Sequence, residues 1–102
     1  MMLSIVAPPS YYRVVLNAAQ CRAARALLRM TQATLAAAAG VNVIAIKRFE
    51  AGSDPRVSTV NALERALVDA GIILIDDGAG SPAGAGAGVR LARGPGGNGD
   101  GD

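Results

Sequence analysis

The chain has 102 residues, of which 51% are hydrophobic and only 3% aromatic; this is enough for one domain of ordinary size and too little for two independent cores. Twenty-one residues are alanine, a composition that favours closely packed helices over a strand-rich sandwich. With no histidine, one cysteine (Cys21) and eight carboxylates, the chain lacks the makings of a metal cluster, a catalytic triad or a general base poised near neutral pH. No metal, no cofactor and no enzymatic activity are therefore expected.

The net charge is only +2, but it is unevenly spread: Met1 to Phe49 hold six basic residues (Arg13, Arg22, Arg25, Arg29, Lys47 and Arg48) and no acid. Residues 72–102 carry Arg90 and Arg93 against Asp76, Asp77, Asp100 and Asp102, a balance of −2. Such asymmetry suggests a polyanion-binding half followed by a solvating tail. A lone cysteine forms no internal disulfide and points to the cytoplasm. The start of the chain has no basic residue ahead of its apolar stretch and contains Pro8 and Pro9, so it does not read as a secretory signal. The longest apolar run, Leu35 to Ile46, is broken by Asn42 and falls short of the roughly 20 residues of a membrane span. A soluble protein with no membrane partner is expected.

In chain order, residues 1–16 read as an irregular N-terminal arm containing Tyr11 and Tyr12. Asn17, with Gln20 three residues later, has the spacing of a capping box and opens a first helix over about 18 to 29. Cys21, Ala24, Leu27 and Leu28 supply its buried stripe, and Arg22, Arg25 and Arg29 share another face. Thr31 caps a second helix, 32–39, buried through Leu35, Ala36 and Ala39, and Gly40 ends it. Asn42 caps a third, 43–50, with Ile46 and Phe49 inward and Val41 at its entrance. Gly52 stops that helix, and a loop with Asp54 and Pro55 leads to Ser58 as the cap of a fourth, about 59 to 70. There Val60, Leu63, Leu67 and Ala70 face inward, while Glu64, Arg65 and Asp69 read as a solvated face.

Ile72 to Ile75 is a short β-branched run that reads as a strand, and Val89 to Ala92 alternate as its partner across a glycine-alanine loop. Residues 94–102 are low in complexity and read as a disordered tail. The expected fold is all-α, a compact bundle of four to five short helices with a short C-terminal strand or hairpin. Its divisions are an arm at 1–16, a helical domain at 17–71 able to stand alone, a hairpin segment at 72–93 and the tail.

The segment Gln32 to Glu50, QATLAAAAGVNVIAIKRFE, carries the functional signal. Ala36 is small where two helices must cross closely, Gly40 follows four residues later at the turn, and Ile46 and Phe49 anchor the next helix. A large side chain at Ala36 would push the second helix away, and a residue other than glycine at Gly40 would strain the turn. This pattern, with the Arg-rich first helix, the Glu50-Ala51-Gly52 exit and the Pro55 loop, resembles the helix-turn-helix of the lambda-repressor-like, Xre-type family of bacterial and phage transcription regulators.

The resemblance implies a DNA-binding transcription regulator, with double-stranded DNA as partner. Gln32 would contact a phosphate at a helix N-terminus. The third helix would enter the major groove with Asn42, Val43, Ile44, Lys47 and Arg48 toward the DNA, Arg48 facing guanine and Lys47 a phosphate. Arg56 matches a backbone-contacting position, and Arg25 would pair with Glu50 to tie the first helix to the end of the third. Val43 and Ile44 depart from the family's polar pattern; they can touch a thymine methyl and donate no hydrogen bond. Regulators of this size read two half-sites as homodimers, and the strand 72–75 is the candidate interface. The alternative is an antitoxin or adaptor on the same scaffold, holding a toxin or other protein through Val43, Ile44 and that strand.

Overall fold

A computed structural model describes residues 16–53, 56–78 and 84–93; the expected N-terminal arm up to residue 15, Asp54, Pro55 and the C-terminal tail lie outside them. Four helices are followed by a two-stranded antiparallel hairpin: α1 (Ala18–Leu28), α2 (Gln32–Ala39), α3 (Val43–Glu50), α4 (Val57–Asp69), β1 (Ile72–Ile75) and β2 (Gly88–Leu91).

The helix starts follow local hydrogen bonding. Asn17 Oδ1 accepts from the Gln20 N–H at 2.7 Å while Gln20 Oε1 accepts from the Asn17 N–H at 3.0 Å, a reciprocal capping box. Thr31 Oγ1 accepts from the Thr34 N–H at 3.0 Å, and Asn42 Oδ1 from the Ile44 N–H at 2.7 Å. Between α2 and α3 the chain reverses at Gly40, whose φ of +71° lies in the left-handed region. A Cβ placed there would meet nothing within 4 Å, so the backbone angle, and not crowding, favours glycine at this turn. The Val41 N–H then bonds to the Ala36 carbonyl at 3.0 Å, closing the turn.

Leu35, Ile46, Leu63 and Leu67 are fully buried at the centre, with Cys21, Ala24, Ala36, Phe49, Val60 and Ala66 around them. Ala36, 6% exposed, lies in this core where α2 packs between α3 and α4. Several sequence expectations need correction. Leu27 is 43% exposed, because six residues on from Cys21 is about 120° away from the stripe. The first helix stops at Leu28, with Arg29 in the left-handed region at φ +58°. Ser58 does not cap α4: the Thr59 and Val60 N–H groups bond to the Arg56 carbonyl, so the helix is already under way at Val57. Ala70 follows the last turn and is exposed, and Ala66 fills the inward position instead. Glu64 is not merely solvated, since its Oε2 accepts from the Leu16 N–H at 2.7 Å.

The core also extends beyond the expected helical domain at both ends. Leu16, assigned to the arm, is 1% exposed, and Ile72 in β1 is 2% exposed. Leu74, Val89 and Leu91 pack on the same core. Strand register runs Ile72 to Leu91, Ile73 to Arg90, Leu74 to Val89 and Ile75 to Gly88, one residue earlier on the second strand than the alternation suggests. Gln20, 3% exposed, donates from Nε2 to the carbonyls of Gly88 at 2.9 Å and Ile75 at 3.2 Å. The hairpin is thus packed and hydrogen-bonded onto α1, so removing it would uncover Gln20 and several core side chains.

Candidate nucleic-acid interface

Two groups of residues organise α3, one at each end. At its C-terminal end Glu50, 8% exposed, is held from two other elements, α1 and α2. Arg25 on α1 makes a two-pronged contact, Nε to Oε2 and Nη2 to Oε1, each at 2.7 Å. Gln32 at the start of α2 donates from Nε2 to Oε1 at 3.0 Å, and the Cys21 thiol donates to Oε2 at 3.1 Å. Arg22 donates to the Glu50 backbone carbonyl at 2.6 Å, satisfying an acceptor that the helix end leaves open.

Burial alone would push the Glu50 carboxyl upward, but the hydrogen bonds from Arg25, Cys21 and Gln32 outweigh it and hold the group below the ordinary carboxylate range. The Cys21 thiol is pushed up to about 12, first by burial and then by its hydrogen bond to Glu50. It stays protonated and serves as a donor. The cluster therefore fixes the angle of α3 against α1 and α2 through a charge pair whose two side chains are only 19% and 5% exposed.

Toward its N-terminal end and along its outer face, α3 presents different chemistry. Ile44 is 54% exposed, and Lys47 and Arg48 are exposed three and four residues later on the same face. None of the three makes a side-chain hydrogen bond or ion pair among the described residues. Asn42 is also exposed, with its carbonyl committed to the cap and its amide N–H groups left over. Val43 was expected on this face, but it is half-buried and packs against the core. It stands three residues before Ile46 and seven before Glu50, which puts it on their side of the helix.

Arg25, Gln32 and Glu50 thus come together in one cluster, and Ile44, Lys47 and Arg48 along one face, while Ile46 and Phe49 anchor the opposite side. Arg56 joins neither group; it stands exposed at the N-cap of α4 without making a side-chain cap bond. Sequence reasoning missed the long-range partners of Gln20 and Arg22. The Gln20 amide reaches carbonyls 55 and 68 positions away, for which there is no local signal. Arg22 had one: it lies one turn from Arg25 in a stretch whose first acid is Glu50.

A small helical bundle in which a tight turn joins two short helices, the second exposing a hydrophobic knob and two cations, is a helix-turn-helix DNA-binding domain. Residues 22–67 match the helix-turn-helix family model, and they form a domain of the lambda-repressor-like, Xre type. The match runs from within α1 to near the end of α4 and takes in Arg22, Arg25, Gln32 and Glu50 of the cluster, with Cys21 one residue outside it, and the exposed face of α3. Domains of this family are DNA-binding parts of transcription regulators, not enzymes. No curated protein matches the chain. Among the described residues, no helix is long and apolar enough to cross a membrane.

Proposed function

We propose that the chain is a sequence-specific transcriptional repressor that lays α3 in the major groove and binds two half-sites as a homodimer. The observation that carries this reading is the division of labour along α3: Glu50 is locked to α1 and α2, while Ile44, Lys47 and Arg48 stand free on one face. A rigid, pre-aimed helix loses little freedom on binding, so its contacts are realised as affinity. Arg48 faces guanine O6 and N7 as a bidentate donor, Lys47 meets a phosphate, and Ile44 covers a thymine methyl. Asn42 lends its free amide N–H groups at the helix start, and Arg56 meets the backbone from α4. Gln32 spends one amide N–H on Glu50 and keeps the other for a phosphate at the N-terminus of α2, beside unpaired backbone N–H groups.

The alternative of a protein-docking patch at Val43 and Ile44 has weaker support, because Val43 packs against the core and leaves Ile44 alone. The experiment is selection of bound duplexes from a random pool by the purified chain, with Arg48→Ala alongside. A motif with two related half-sites about one helical turn apart is expected, with a guanine preference that Arg48→Ala relaxes. Recovery of no motif, or of the same motif from both proteins, would overturn the assignment.

A further inference from the structure

The hairpin carries a surface that α3 does not explain. In β1, Ile72 is buried and Leu74 packs on the core, whereas Ile73 is 42% exposed. Ile73 and Ile75 share the outer face of the sheet, since alternate residues of a strand face opposite ways. The Ala92 N–H bonds to the Gly71 carbonyl at 2.7 Å. Hydrogen-bonded pairs alternate in an antiparallel ladder, so the next such pairs are Ile73 with Arg90 and Ile75 with Gly88. The N–H and C=O groups of Ile72 and Leu74 therefore point away from β2, along an edge that pairs with no strand among the described residues.

Charge adds a second, independent feature. Asp76 and Asp77 follow the C-terminal end of β1, while Arg90 lies across from Ile73 and Arg93 beyond Leu91, at the opposite end of the hairpin. Asp77, Arg90 and Arg93 are exposed, and none of these four charges forms a salt bridge among the described residues. The acids thus stand at one end of the hairpin, and the cations lie on and beyond β2 toward the other end.

We propose that this edge binds a second copy of the chain, the two β1 strands pairing antiparallel about a two-fold axis normal to the sheet. Such an axis preserves the facing of every side chain, so Leu74 can lie opposite the second copy's Leu74, and Ile73 opposite its Ile75. The outward N–H and C=O groups of Leu74 then pair reciprocally, and those of Ile72 meet the second copy's Asp76 backbone. The result is a four-stranded sheet with four isoleucines on its outer face and both helical layers on the other. Reversal of strand direction brings each acidic end alongside the other copy's basic end. A single-sign end would repel itself in a parallel pairing, so the charges select this arrangement. The hairpin rests on α1 and α4, which leaves α2 and α3 of each copy open. The inference rests on the reading of two half-sites and supplies the contact that joins the proteins bound to them.

The test is sedimentation equilibrium of the full chain without DNA, with anisotropy of a labelled single half-site measured in parallel. A dimer is expected. Ile73→Lys, on the exposed face, should give a folded monomer with unchanged half-site affinity. Arg90→Asp and Asp77→Arg, exposed charges near the joint, should each weaken the dimer by about two- to fivefold at low salt, and the double reversal should restore it. A monomeric full chain whose Ile72 and Leu74 amides resist hydrogen exchange would show the edge taken by another part of the same chain and would overturn the proposal. So would a dimer indifferent to all three single changes. A dimer sensitive to them that binds no DNA leaves the interface standing and removes the regulator reading.

Discussion

Glu50→Gln isolates the charge at the junction of α1, α2 and α3 while keeping the side chain's size. In the native protein the carboxylate accepts four side-chain hydrogen bonds, two from Arg25 at 2.7 Å and one each from Gln32 and Cys21. The amide replaces one acceptor oxygen by a donor, so at least one Arg25 N–H faces another donor and the guanidinium loses its counter-charge. Breaking a buried pair outright costs about 3–5 kcal/mol. Here the loss is nearer 2–3 kcal/mol, because one acceptor remains, Arg25 is 19% exposed and its Nη1 also donates to the Met30 carbonyl at 3.2 Å. For a domain of this size that lowers Tm by about 10–20 °C, readable by circular dichroism at pH 7.

The pH dependence makes the test stricter. Glu50 has a folded-state value below its ordinary 4.5, so its contribution is complete above that pH and is lost as pH falls through the lower, folded-state value. The gap in Tm between wild type and Glu50→Gln should therefore be constant from pH 7 to 5 and should close in more acid solution. A variant melting within about 2 °C of wild type, or a gap that persists unchanged at acid pH, would refute the argument that this charge holds α3.

Three further changes probe the frame. Gln20→Leu keeps bulk but removes the capping box and the donor to the Gly88 and Ile75 carbonyls; a loss of about 2–3 kcal/mol is expected, with amide exchange accelerating in the hairpin before it does in α2. Arg29→Gly relieves a left-handed residue at φ +58° and should stabilise by about 0.5–1 kcal/mol in urea unfolding; a destabilised variant would mean that the Arg29 side chain matters more than its backbone. Phe49→Ala removes a ring that is 5% exposed and should cost about 3–5 kcal/mol; a melting point close to wild type would show a core organised without it.

What the sequence disclosed depended on how local the physics was. Asn17, Thr31, Asn42 and Gly40 act within a few residues of themselves, through cap hydrogen bonds and one backbone angle, and the positions of α1 to α3 could be read from them. Ser58 looked like the same signal and was not, since the Arg56 carbonyl had already begun the helix. The helix-turn-helix was legible because Ala36, Gly40, Ile46 and Phe49 carry steric demands at fixed spacing. Which face of α3 Val43 would join was not, because a residue at the rim of a stripe is decided by its tertiary neighbours. The role of the hairpin was the least accessible: nothing near Gln20 marks the two distant carbonyls its amide holds, and nothing near Leu16 or Ile72 distinguishes core from arm.

The central claim is that the exposed face of α3 binds duplex DNA through its cations. Its most direct test is the affinity of the full chain for a selected duplex across a salt series, for wild type, Lys47→Ala and Arg48→Ala. The account predicts a linear fall of log affinity with log salt, of slope close to −0.9 for each neutralised phosphate. Lys47→Ala should make that slope shallower by about one unit while leaving base preference intact, and Arg48→Ala should erode the preference for guanine. Affinity that is absent at low salt, or that does not change with salt, would contradict it.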